Sequence, residues 1–207
     1  MRYFLSFLLI VAVVYFGFLF FFDYSIESPN YEVTMDLGNN VEIREYESYY
    51  QAYVSYENGE YENQAFRKLF NFISGENTVS SSGDSESIDM TAPVKLDMTA
   101  PVKLDMTAPV KDYGFDGMAF VMPSDFDVYI IPNDSKIEIQ KVEGQKLAVI
   151  RYSGFMSESK MNKKYLELIA VLDQNSIAYE KGAVFAAYNG PYTLPFLRRN
   201  EVWIQIK

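Results

Sequence analysis

Residues 31–75 read YEVTMDLGNNVEIREYESYYQAYVSYENGEYENQAFRKLFNFISG, and within them the hydrophobic period changes once, which decides the fold. Through residues 31–37, 41–46 and 51–56 the chain is rich in Tyr and Val and is interrupted by turn residues such as Gly38, Asn39 and Asn40, the pattern of β-strands. From residue 60 to 74 the apolar side chains fall at helical spacing instead, at Phe66, Leu69, Phe70 and Ile73. Asn58 suits the cap before this helix, and Gly75 suits the position just past its end, where the backbone turns left-handed.

The same succession returns downstream. Strand-like runs occupy residues 117–122, 136–142 and 146–153, the last two joined by a tight turn at Glu143, Gly144 and Gln145. Residues 157–175 form an amphipathic pattern with Met161, Tyr165, Leu168, Ile169 and Leu172 on one stripe. Strands at 183–188 and 201–206 close the chain. Strands, helix and strands, twice over, predict an α+β domain whose two similar halves share one sheet or barrel.

Between the halves lie two unusual segments. Residues 76–87, with Ser80, Ser81, Ser82 and Gly83, are too polar to bury much surface and predict a mobile loop. Residues 88–111 carry Met-Thr-Ala-Pro-Val-Lys three times, beginning at Met90, Met98 and Met106. The repeat period is even, so in a strand Met, Ala, Val and Leu share one face while Thr, Pro, Lys and Asp share the other. Each proline removes a ladder donor and belongs at an edge, a strand end or a bulge, and one strand through all three copies would be unusually long. Two readings follow: a Met-lined surface beside a ligand pocket, or a core strand followed by inserted duplicates.

Residues 3–22 carry no charge and are almost wholly apolar. About 20 residues at a rise of ~1.5 Å cross a hydrocarbon core of roughly 30 Å. A cleaved signal peptide would have a shorter apolar region ending in small residues, and Phe20, Phe21, Phe22, Asp23 and Tyr24 offer no such site. The expected organisation is a transmembrane anchor at 1–24, a spacer at 25–30 and a folded domain at 31–207. Arg2 on one side and Asp23 and Glu27 on the other orient it N-in, with the domain outside the cytoplasm.

Composition narrows the function. A net charge of −10 argues against a nucleic-acid partner, whose phosphates need clustered Lys and Arg. Cysteine is absent, which excludes disulfides, thiolate metal sites and thiol nucleophiles. Histidine is absent too, removing the usual general base and the commonest ligand of metals and haem iron. With no nucleophile elbow, phosphate loop or paired-metal signature either, a binding protein is expected rather than an enzyme.

Five segments together resemble the SOUL family of haem-binding proteins: Val41-Glu42-Ile43-Arg44-Glu45-Tyr46, Phe72-Ile73-Ser74-Gly75-Glu76-Asn77, Ile88-Asp89-Met90-Thr91-Ala92-Pro93-Val94, Phe120-Val121-Met122-Pro123 and Arg198-Arg199-Asn200-Glu201-Val202-Trp203. The resemblance implies a distorted antiparallel β-barrel or sheet of two similar β-α-β halves with two helices, and binding of haem or another tetrapyrrole rather than catalysis. The family pattern has one Met-Thr-Ala-Pro-Val strand; the distance from Gly75 puts the copy at Met90 in register and leaves the later two as an insertion. Without histidine, iron falls to Tyr, Met, an exogenous ligand or no protein atom.

By the same analogy the pocket lies along the first helix, with Phe66 and Phe70 as apolar walls, Met90 from the first repeat and Arg67 for a propionate. The alternative for the two aromatics is to pack the helix on the sheet. Arg198 and Arg199 either meet an anionic ligand or pair with Glu201, and Trp203 reads as a core residue before a stacking platform. The function expected is a membrane-anchored haem-binding protein that holds the macrocycle without histidine. The alternative is a sensory or scaffold module for another apolar ligand or a protein partner.

Overall fold

The computed structural model describes Phe4, Ser6, Phe7, Val11, Tyr15 and Gly17, and then residues 26–56, 62–98, 116–190 and 192–207. The chain runs through β1 (Tyr31–Gly38), β2 (Val41–Tyr46), β3 (Tyr49–Ser55), α1 (Glu62–Ile73), β4 (Asn77–Val79), β5 (Val94–Met98) and β6 (Gly117–Val121). It continues through β7 (Ile130–Pro132), β8 (Ile137–Val142), β9 (Gln145–Tyr152), α2 (Glu158–Gln174), β10 (Ala183–Ala187) and β11 (Asn200–Gln205).

Nine strands make one antiparallel sheet in the order β1-β2-β9-β11-β10-β5-β6-β3-β8, while β4 and β7 pair apart from it. Setting β1 aside, this order is symmetric about the β10–β5 pair. In each half the strand before the helix (β3 or β9) lies beside the last strand (β6 or β11), and the strand after the helix (β5 or β10) meets its counterpart at the centre. The opening strands are exchanged: β2 pairs with β9 of the second half, and β8 with β3 of the first. Two similar halves with one helix each are therefore present.

The barrel is not. Among the described residues the sheet is a curled half-barrel that ends at β1 on one edge and at β8 on the other. Closure needs a further row of ladder bonds and an inward apolar face on both closing strands. β1 lies exposed along nearly its whole length and has no such face.

Both helices pack on one side of the sheet, each with its own core. Under α1, Ala65, Leu69, Phe72 and Ile73 meet Ala52, Val54, Met118, Phe120 and Ile137. Under α2, Met161, Tyr165, Leu168 and Leu172 meet Val41, Ile43, Ala148, Ile150, Phe185, Val202 and Ile204. The strand residues of opposite parity, among them Tyr46, Leu147, Val149, Ala186 and Trp203, form a third cluster on the helix-free side. Both helices also stop in the same way. Glu76 N–H donates to Asn71 O at 2.9 Å and Gly75 N–H to Phe72 O at 3.3 Å, with Gly75 at φ 114°. At the other helix Ile177 N–H donates to Leu172 O and Ser176 N–H to Asp173 O, with Ser176 at φ 55°. These paired bonds close the last carbonyls of each helix. The cap expected at Asn58 lies outside the described residues.

Residues 76–87 are not a loose loop. β4 pairs with β7, and the buried Asn77 side chain donates to Phe72 O at 2.8 Å and Glu86 O at 2.7 Å while accepting from Glu86 N–H at 2.9 Å. One amide that bonds three backbone groups holds a segment too polar to hold itself. The first repeat copy has the expected parity: Val94 and Leu96 pack toward the helices and Lys95 points the other way. Pro93 directly precedes β5, where its missing N–H removes no ladder bond. Residues 99–111, most of the later two copies, lie outside the described residues.

The expected anchor also lies largely outside them. The described positions Phe4, Ser6, Phe7, Val11, Tyr15 and Gly17 are helical, and the Tyr15 hydroxyl bonds the Tyr192 carbonyl at 3.1 Å. Among the described residues no helix is long and apolar enough to cross a membrane.

Candidate functional site

The amphipathic stripe of α1 buries Ala65, Leu69, Phe72 and Ile73, which leaves its two remaining aromatics beside that stripe, on the flank of the helix. Phe66 and Phe70, one turn apart, are 39% and 46% exposed. Their rings lie 6.1 Å apart and 11° from parallel, and Phe66 also meets the buried Phe120 ring edge-on at 5.2 Å. The buried stripe fastens the helix to the sheet, Phe66 adds an edge contact to it, and the pair forms a half-exposed apolar step along the flank of the helix. Arg67 is exposed beside it. Met90 is exposed as well, on a segment tied to the end of α1 by the bond from Ile88 N–H to Ile73 O at 2.8 Å. Of the four expected residues, then, Phe66 and Phe70 form one surface, with Arg67 on the same helix and Met90 near its end.

A second constellation, on the helix-free side, went unread as a unit. Glu201 is fully buried, and its carboxylate accepts bonds from Arg44 Nη1 at 3.1 Å, Arg199 Nε at 2.9 Å, Tyr188 Oη at 2.9 Å and Trp203 Nε1 at 2.8 Å. Arg44 bonds Glu42 in turn at 2.7 Å. Burial alone would push the Glu201 carboxyl up, but Arg199 and Arg44, with the Trp203 N–H, hold it below its ordinary range. Burial and the neighbouring carboxylate push Tyr188 well above the usual tyrosine range.

Because Glu201 accepts on both oxygens and its charge is matched by guanidinium groups, little remains on it for a substrate proton or a cationic ligand. Arg199 and Glu201 are an ion pair, and Trp203 is core, its ring tilted against that of Tyr46 with centroids 5.1 Å apart. Arg198 instead donates to Thr193 O and lies over the Phe155 ring. The sequence signal was the alternation of charge at Glu42 and Arg44 and again at Arg199 and Glu201, which puts each pair on one face of its strand. Among the described residues no group of three or more Asp or Glu is placed to hold a metal ion.

The fold is shared with solved structures of low identity. An uncharacterized conserved protein from Listeria innocua superposes with a TM-score of 0.58 at 12% identity, over 82% of this chain and 93% of that one. A protein of the same organism described as a hydrolase gives 0.54 at 11% identity, over 82% and 92%. The EcmrR C-terminal domain gives 0.51 at 11% identity, over 86% and 98%. At these identities the likeness is one of fold alone. No curated protein sequence matches the chain. The SOUL heme-binding protein family, however, matches residues 26–205, a span that takes in both halves of the sheet, both helices and all five segments quoted above, and the chain belongs to that family.

Proposed function

We propose that this protein binds a tetrapyrrole along the exposed flank of α1 and holds the macrocycle by its apolar faces rather than by its iron. The observation that carries the reading is the aligned, half-exposed pair Phe66 and Phe70. Two large rings left in water are unfavourable, and a flat apolar ligand laid against them removes that surface from solvent. In the other half α2 has one aromatic, Tyr165, and it is buried.

The residues present fit the macrocycle. Arg67 supplies a guanidinium for a propionate, and Met90 a thioether that packs against a ring edge or serves as a weak ligand. They do not fit iron held by histidine or cysteine, since the chain has neither. Binding rather than catalysis is the role these side chains support. The uncharged stretch 3–22 supports placing the protein at a membrane, and Arg2 on one side with Asp23 and Glu27 on the other supports an N-terminus inside; a C-terminal reporter active only outside the cytoplasm agrees with that, and one active only inside overturns it.

The test is a titration of the full-length protein with hemin and with iron-free protoporphyrin IX, followed by absorbance. Saturable one-to-one binding of both, of similar affinity, is expected. Phe66→Ala/Phe70→Ala should weaken both by about tenfold or more, since each ring contributes on the order of 1 kcal/mol beyond its area. If neither ligand saturates, the domain has kept the family fold without its ligand, and the scaffold reading replaces this one.

A further inference from the structure

The side of the sheet away from the helices holds a second site. Strand register there runs from Glu201 through Ala186, Lys95 and Ala119 to Tyr53. Lys95, the last residue of the first repeat copy, therefore stands at the centre of the sheet between two alanines, whose small side chains leave space around it. It is only 4% exposed. Its ammonium bonds the Tyr49 hydroxyl at 3.0 Å and lies 5.0 Å from the centre of the Tyr49 ring, and these are the partners the structure gives it.

An ammonium has three donors and a full charge, and burying one without an anion is costly. Glu201 does not relieve it, being engaged by Arg44 and Arg199 two strands away. Lys95 instead lines a trough of about 310 Å³ with Tyr53, Leu147, Val184 and Trp203. Tyr53 lies across Gly117, where a Cβ would collide with its ring, so this wall depends on glycine. The volume is at the lower end for small-molecule sites. Asp116, Glu180 and Lys181 line the same trough, and the two carboxylates disfavour a ligand with a second negative charge.

We propose that this trough binds a small amphiphilic monocarboxylate, with its carboxylate on the Lys95 ammonium and its apolar body against Leu147, Val184 and Trp203. It lies on the opposite side of the sheet from the α1 face, so it is independent of the tetrapyrrole reading. Among the described residues no carboxylate bonds the Lys95 ammonium, and the ligand supplies one.

Trp203 is the only tryptophan in the chain, so its emission reports occupancy directly. The experiment titrates the full-length protein with octanoate, with octanol and with octylammonium, three probes of one chain length and different charge. A saturable change in Trp203 emission is expected with octanoate, with octanol about tenfold weaker or worse and octylammonium without saturation, because a hydrogen bond to a charged group is lost or reversed. Lys95→Met, which keeps the length of the side chain, should bring octanoate down to the level of octanol. Equal binding of octanoate and octanol by the unaltered protein, or no saturation with octanoate, overturns the proposal. This comparison stands even if Lys95→Met does not fold.

Discussion

The two halves share a strand order, a helix position and a manner of ending the helix, yet they have diverged on both faces of the sheet. On the outside, α1 presents Phe66 and Phe70, whereas α2 presents Ser159, Asn162, Lys163, Leu166 and Glu167. On the helix-free side the second half carries Arg199 and Glu201 at β11, met there by Arg44 from the exchanged strand β2 of the first, while β6 of the first has alanine and glycine at Ala119 and Gly117. Between helix and next strand the second half takes the short path 175–182, and the first takes the long path 74–93 that includes β4 and the Asn77 clamp. The two halves have thus diverged around one fold: the second supplies the buried acceptor Glu201 of an ion cluster that ties it to β2 of the first, and the first presents two neighbouring half-exposed aromatics on its helix.

The largest effect that tests this division is on stability. Glu201→Ala leaves two guanidinium groups, Tyr188 and Trp203 without their shared acceptor, and breaking a buried ion pair from one side costs about 3–5 kcal/mol. Denaturant unfolding should show that loss; a change under about 1 kcal/mol would mean the cluster holds nothing together. The same carboxylate gives the domain a pH signature. Its folded form titrates below the ordinary range, so its contribution is complete above the unfolded value near ~4.3 and is lost as pH falls through the folded value. Glu201→Gln should flatten that acid limb in unfolding curves taken across the range. At the alkaline end the sign reverses, because Tyr188 stays neutral in the fold while an unfolded tyrosine ionises near pH ~10. Stability should therefore also fall above that pH.

The next effect concerns the long connection of the first half. Asn77→Ala removes two donated bonds and one accepted bond, leaving the carbonyls of Phe72 and Glu86 without this partner, at a cost of about 1–3 kcal/mol. Hydrogen exchange should rise through residues 76–87 while α2 stays protected. Equal loss of protection in both halves would show that they unfold as one and that the clamp is not local.

The halves were legible in the sequence because each helix has its own 3.6-residue stripe, and Leu69 and Leu168 fall on those stripes as the period requires. Gly75 was legible for a related reason: a glycine after the last apolar turn meets a backbone position that disfavours side chains. The open sheet was not, since closure depends on what pairs with β1 and β8, and no local pattern records an absent partner. Asn77 was hidden by the polar residues after it, although it closes one of the quoted segments. The Glu201 cluster was hidden by distance. Arg44 and Glu201 are 157 positions apart, and they meet only because β2 crosses to β9 in the other half, beside β11. Of the four residues expected for the α1 site, Phe66, Arg67 and Phe70 lie on a helix whose buried stripe is itself readable, and that they fall beside that stripe follows from it; Met90 lies on the segment before β5 and came from the family resemblance instead.

The smallest effect is the most discriminating for the comparison itself. Leu166 of α2 is 49% exposed, about as open as Phe70 of α1, so exposure alone would give the two helices equal claims to a ligand. Leu166 has polar neighbours in Asn162, Lys163 and Glu167 and presents no second ring, so it offers an isolated apolar spot rather than a flat step. Leu166→Ala should change stability by no more than about 0.5 kcal/mol, as surface substitutions do, and should leave the protoporphyrin titration unaltered. If it weakened binding as much as Phe66→Ala/Phe70→Ala, both helices would serve the ligand, and the functional difference between the halves would lie only on the helix-free side of the sheet.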